Sequence, residues 1–250
     1  MSATQGTGFF TLGVSPDRYI LPHPPLDFRV TLLIRRVLLR AFEILREQSF
    51  PLAFAKEDEV TAALCNVIED RLRQNGEVHG FNTCAYEFVV RQGQWENYNG
   101  TVLTKTPDLF FKLRDNEHLR IGVRSRFDGL FIEAKPVDST HPVGSKYCDD
   151  GLIRFVRGDY AWAMQQAMML AYARDGRTIA KHLLPAMQEP PRLKTLQTVA
   201  LPTASTSQAA GVCPTAEAVH VSQHRRGFPW PHGKGAANDI TIYHLWHRCD

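Results

Sequence analysis

A chain of 250 residues with 44% hydrophobic and 22% charged side chains can bury a sizeable core, which excludes wholesale disorder. A formal net charge of +3 permits a nucleic-acid partner without arguing for one, because a basic groove can sit on a nearly neutral protein. Cys65, Cys84, Cys148, Cys213 and Cys249 are scattered and form no CxxC pair, and no stretch of 18 residues is continuously apolar. Neither a disulfide framework, a ribbon-type zinc site nor a membrane span is therefore expected, and a reducing cytoplasm is the expected compartment.

Residues 1–25, rich in Gly and Pro and ending in LPHPP, read as an N-terminal arm. From Phe28 to Glu47 the spacing is helical, with Leu32, Leu39 and Phe42 toward a core and Arg35, Arg36, Arg40 and Arg46 largely outside it. A second helix is predicted from about Lys56 to Gln74, its apolar stripe formed by Val60, Leu64, Val67 or Ile68, and Leu72. Glu57 lies in its first turn on the side of that stripe, where a glutamate either favours the helix dipole or reaches toward a sheet.

Short apolar runs follow at 84–91, 107–113, 119–124 and 129–135, separated by turn formers such as GQWENYNG and RDNE, as in a strand meander. The last run belongs to DGLFIEAKPV, residues 128–137. Alternation along a strand puts Phe131, Glu133 and Lys135 on one face and Leu130, Ile132 and Ala134 on the other. Two charges side by side at the end of a buried strand require each other or a further charged partner, such as a metal. Asp108, after Pro107 at a strand start, lies 25 positions before Glu133, which suits neighbouring antiparallel strands. Asp128 is the other candidate aspartate, but five residues at about 3.3 Å rise put it roughly 16 Å along the strand and, unless a bulge at Gly129 intervenes, on the opposite face.

Residues 159–174 read as a helix with Tyr160, Met164, Ala167, Met168 and Ala171 on a core-packing face. Arg154 and Arg157 at its mouth could meet an anionic group, and His141 and Lys146, on the loop after Lys135, could line the same cleft. Within 189–216 a strand, TLQTVALP, passes into a flexible surface segment, TASTSQAAG. Two more strands, AEAVHVS and NDITIYHLWH, close a single 1–250 domain of class α/β. His244, His247 and Cys249 do not suggest zinc, since an odd spacing sends the two histidines to opposite faces of a strand. His224, Arg225, Arg226, Trp230 and Lys234 read either as a basic, aromatic loop that binds phosphates and bases or as a plain surface loop.

A helix glutamate, Glu57, then Pro107 and Asp108 at a strand start, then Glu133, Ala134 and Lys135 at the end of the next core strand form a set. Over roughly residues 56–175 this set resembles the PD-(D/E)XK nuclease superfamily. The resemblance implies a restriction-endonuclease-like mixed central sheet flanked by helices. It also implies a catalytic Mg2+, replaceable by Mn2+, held by Asp108, Glu133 and the carbonyl of Ala134. Lys135 would orient or deprotonate the attacking water, and Glu57 would contact the metal through water or hold Lys135. The implied partner is DNA, cut by an endonuclease directed at foreign or mobile DNA, with no membrane and with a homodimer or a larger system as possible settings. The alternative is a nucleic-acid-binding or assembly subunit whose cleavage a partner supplies. The Gln-x-x-x-Tyr pairing of some members is absent, because Gln165 and Gln166 precede Tyr172 by seven and six residues; Gln165 stays a candidate on the helix expected after the Glu-x-Lys strand.

Overall fold

The computed structural model describes residues 23–83, 86–114, 126–205 and 219–250. Helix α1 spans Phe28–Glu47, as its spacing predicts, and starts at Asp27, whose side chain accepts a hydrogen bond from the Arg29 amide. Helix α2, Glu57–Asn66, continues through a π-helical stretch, Val67–Leu72, and a last turn, Arg73–Asn75. Gly76, at φ +63°, ends it in the left-handed conformation that glycine adopts without strain.

The described strands are β1 (Tyr86–Arg91), β2 (Leu109–Leu113), β3 (Gly129–Val137), β4 (Gln166–Ala173), β5 (Thr198–Ala204), β6 (His220–His224) and β7 (Ile240–Arg248). They form one mixed sheet in the order β1-β2-β3-β4-β7-β6-β5. The β1–β2–β3 pairs are antiparallel, β3–β4 and β4–β7 are parallel, and β7–β6–β5 returns to antiparallel. A helical crossover joins β3 to β4: a π-helical segment, Val143–Leu152, runs into α3, Ile153–Arg157, which Gly158 terminates. The run predicted at 119–124 lies outside the described residues, as do residues 1–22 and 206–218. Among the described residues no helix is long and apolar enough to cross a membrane.

The helix predicted over 159–174 is not formed. Residues 166–173 are β4, buried at every position between β3 and β7, and the helix lies earlier, in the crossover. A strand covered on both faces has no polar alternation to mark it, and QAMMLAYA is built from residues that also favour helices. Residues 190–204, expected in part within a flexible surface segment, form a short helix, Pro190–Thr195, and the edge strand β5.

Helices α1 and α2 cover one face of the sheet, where Thr61 and Tyr172 share a 2.8 Å hydrogen bond and Phe42 stacks on His247 at 3.8 Å. The crossover covers the other face, where the Tyr147 hydroxyl meets His244 Nδ1 at 2.9 Å. His244 and His247 thus point to opposite faces, as their spacing requires.

On the crossover side a fully buried polar chain links four segments. His224 Nδ1 must donate to the Leu196 carbonyl (2.8 Å), so its Nε2 accepts from the Ser222 hydroxyl (2.8 Å). Ser222 in turn accepts from His244 Nε2 (2.8 Å), whose Nδ1 accepts from Tyr147. Each proton position follows from the one before, and both imidazoles are neutral.

Candidate active site

The site forms where β2 and β3 part. Their antiparallel ladder runs from Lys112–Gly129 to Leu109–Ile132, and continuing it by one step sets Asp108 opposite Glu133. The backbone of β2 no longer serves β3 there, and the Ala134 amide donates instead to Oδ2 of Asp108 at 2.7 Å. On β3, Glu133 and Lys135 share the face toward the crossover, as alternation predicts. Gly151 of the crossover lets the backbone come close: a Cβ at this position would lie 3.5 Å from the Cγ atoms of both Glu133 and Lys135 and 2.9 Å from the Met169 methyl.

Lys135 Nζ is the centre of the arrangement. It donates to Glu57 Oε1 at 2.7 Å, to the Ala134 carbonyl at 2.9 Å and to Asp108 Oδ2 at 3.4 Å, which commits its three protons. Glu133 Oε1 lies 2.9 Å from the same nitrogen and 2.9 Å from Arg154 Nη1, yet it is buried and receives no aligned hydrogen bond. Its other oxygen accepts from the Tyr160 hydroxyl. Glu57, Asp108, Glu133 and Lys135, predicted as a set, therefore meet at one ammonium, and Glu57 reaches it from the first turn of α2.

Burial works against the Lys135 charge, but Glu133, Asp108 and Glu57 outweigh it and hold its pKa above the ordinary lysine value. Glu133 is pushed up to about 7, first by burial and then by the Asp108 carboxylate, against the pull of Lys135 and Arg154. Burial also raises Glu57, against the opposing charge of Lys135. Asp108 and Glu133 are 7% and 0% exposed, and an open cleft lined by Glu57, Lys135, His141, Arg154, Arg157 and Asp159 lies over them.

Among the described residues no group of three or more His, Cys, Asp or Glu side chains is placed to hold a metal ion. The site offers a smaller set of oxygens, the Asp108 and Glu133 carboxylates and the Ala134 carbonyl, which the Lys135 ammonium draws together. This all-oxygen donor set fits a hard cation such as Mg2+, which uses one or two carboxylates and keeps waters or phosphate oxygens for its other positions. The unserved, buried Oε1 of Glu133 is the atom such a cation would satisfy.

The other predicted residues divide. Arg154 is drawn in through Glu133, and Arg157 lines the cleft. Arg225 is exposed at the end of β6, away from the cleft lining. Arg226 is 5% exposed, and its guanidinium donates to the carbonyls of Asn238, Ala161, Trp162 and Met164, and so clamps the loop that presents Tyr160. His224 and Trp230 of the same segment are buried as well, while Arg225 and Lys234 are exposed. Gln165 bonds to the His23 carbonyl and to Asn238, outside the site and on no helix. Asp128 is buried before the far end of β3, 3.9 Å from His23 Nε2.

Tyr160 is the site residue that sequence reasoning missed. Its spacing predicts a core-packing helical face, and nothing local distinguishes a core tyrosine from one that donates to a buried carboxylate. No protein-family model, no curated protein and no solved structure matches this chain.

Proposed function

We propose that this protein is a Mg2+-dependent nuclease of the PD-(D/E)XK type, with a restriction-endonuclease-like fold, that hydrolyses phosphodiester bonds of DNA as an endonuclease. The reading is carried by one observation: Glu57, Asp108 and Glu133, from a helix and two strands, converge on the Lys135 ammonium at the floor of an open cleft. The element order around it supports the same reading, with a helix, a three-strand antiparallel meander, a helical crossover and a strand parallel to the third.

Asp108, Glu133 and the Ala134 carbonyl would hold the cation. When bound, it would supply Lewis-acid stabilisation of the phosphoryl oxygens and a more acidic water. Lys135, anchored by Glu57, orients the attacking water and offsets the charge that builds on phosphorus. Arg154 and Arg157 take non-bridging phosphate oxygens, Arg154 turning outward from Glu133 as it does so.

The test is incubation of the purified protein with supercoiled plasmid, linear duplex, single-stranded DNA and RNA, in Mg2+, Mn2+ or excess chelator, beside a Glu133→Gln control. Metal-dependent nicking of DNA by wild type but not by the control is expected. Cleavage that persists in chelator, or no cleavage of any substrate, would overturn the reading.

A further inference from the structure

The loop that leaves β3 carries a carboxylate–imidazole pair that the chemistry above does not use. Asp138, the first residue after β3, is 7% exposed. Its Oδ1 accepts from the Thr140 amide (2.9 Å) and hydroxyl (2.8 Å), from the His141 amide (2.8 Å) and from His141 Nδ1 (2.8 Å). Its Oδ2 faces Arg174 Nη1 at 3.6 Å, and that guanidinium is fixed on the carbonyls of Leu52 and Ala55. Burial opposes the charge of Asp138, but the hydrogen bonds from Thr140 and His141 hold its pKa down to about 2. The carboxylate oxygen accepts from Nδ1 of His141, so that nitrogen carries a proton and Nε2 is the ring position left to meet a substrate. No hydrogen bond reaches Nε2 among the described residues, the side chain is 41% exposed, and it lines the same cleft as Lys135 and Arg154.

Phosphodiester hydrolysis leaves an electron pair on the departing oxygen, and His141 is the one imidazole among the described residues that line the cleft. Glu57 and Asp108 act as acceptors toward Lys135, and the Lys135 protons are committed to three oxygens. We propose that His141, oriented by Asp138, is the general acid that protonates the leaving oxygen of the scissile phosphodiester, an inference that rests on the nuclease reading. The oxygen of water forms a bond to phosphorus, the bond from phosphorus to the leaving strand breaks, and the freed oxygen takes the Nε2 proton. The proton shed by the water returns the imidazole to its cationic form through solvent, so the products are one alcohol and one phosphate monoester.

The decisive variant is His141→Asn, whose amide keeps a donor toward Asp138 and so preserves the loop while removing the acid. Its substrates are ordinary duplex DNA and the same duplex with a bridging sulfur at the leaving position of the mapped wild-type cut, since a thiolate departs without protonation. On ordinary DNA the variant is expected to be about 100-fold slower than wild type, and on the sulfur duplex within about threefold of it. DNA affinity, read by anisotropy in chelator, is expected to be unchanged. Equal loss on both substrates, or no loss on ordinary DNA, would overturn the assignment while leaving the nuclease reading intact. A wild type that cuts neither duplex overturns both.

Discussion

Lys135 is the residue on which three carboxylates depend, and its removal separates chemistry from metal binding. Lys135→Ala is expected to lose cleavage while Asp108 and Glu133, relieved of a competing cation, still bind Mg2+ in calorimetry. Lys135→Arg is expected to fail as well, because a planar guanidinium cannot reproduce one ammonium donating to three oxygens at 2.7–3.4 Å. The aspartates give a second, paired prediction. Asp108→Asn should abolish metal-dependent cleavage, whereas Asp128→Asn, altering a group 3.9 Å from His23 and remote from Lys135, should leave most of it. Both variants need an unchanged circular dichroism spectrum for the comparison to hold, and the reverse ranking would move the metal to the other end of β3. This pair was legible beforehand, since strand alternation and a fixed rise per residue are local properties that a sequence carries. Arg226 was not. Whether an arginine faces solvent or caps three carbonyls of a loop more than 60 residues away in the chain is something to which composition is blind.

At the scale of elements, the β2–β3 pairing sets the site, and Gly129 sets the pairing. A Cβ there would collide with the Phe110 ring and lie 2.5 Å from the backbone oxygen of Phe111, which cannot swing aside. Gly129→Ala should therefore cost about 3 kcal/mol in urea denaturation, at the upper end of overpacking penalties. The crossover contributes the two arginines of the cleft, Arg154 and Arg157. Arg154→Ala and Arg157→Ala should weaken DNA binding across all sequences and flatten its dependence on salt, with each lost phosphate contact lowering the log–log slope by about 0.9. An unaltered slope would put the nucleic-acid groove elsewhere. Legibility follows burial at this scale. Strands β2 and β3 announced themselves through Pro107, Gly129 and Pro136 and through aromatic and β-branched residues. The crossover was hidden because Pro142, Gly144 and Gly151 break its helical pattern, although Gly151 is there to admit Glu133 and Lys135.

For the whole molecule, the buried histidines make acid the weak side. Burial takes His224 down to about 4 and His247 to about 3, and lowers His244 well below the ordinary value. The unfolded chain, with histidines near 6.5, binds more protons than the folded one between these values. Stability is therefore full above about 6.5 and lost as pH falls toward 4, by about 3 kcal/mol for His224 alone. Glu133, raised to about 7, has the opposite sign: its contribution is present below 4.5 and lost as pH rises through 7, and it offsets only part of the histidine effect. Urea midpoints should fall between pH 7 and pH 5, and a flat profile would show that the relay through Ser222 tolerates a charged imidazole. The strand order has a consequence for synthesis. Strand β4 lies between β3 and β7, so the Glu-x-Lys half of the sheet is made first and waits with one edge of QAMMLAYA unpaired until Ile240–Arg248 leaves the ribosome. At about 5–20 residues per second that interval lasts several seconds, during which an apolar edge is open to other nascent chains. A chain cut short before β7 would keep every proposed catalytic residue and still yield an aggregate rather than a smaller enzyme.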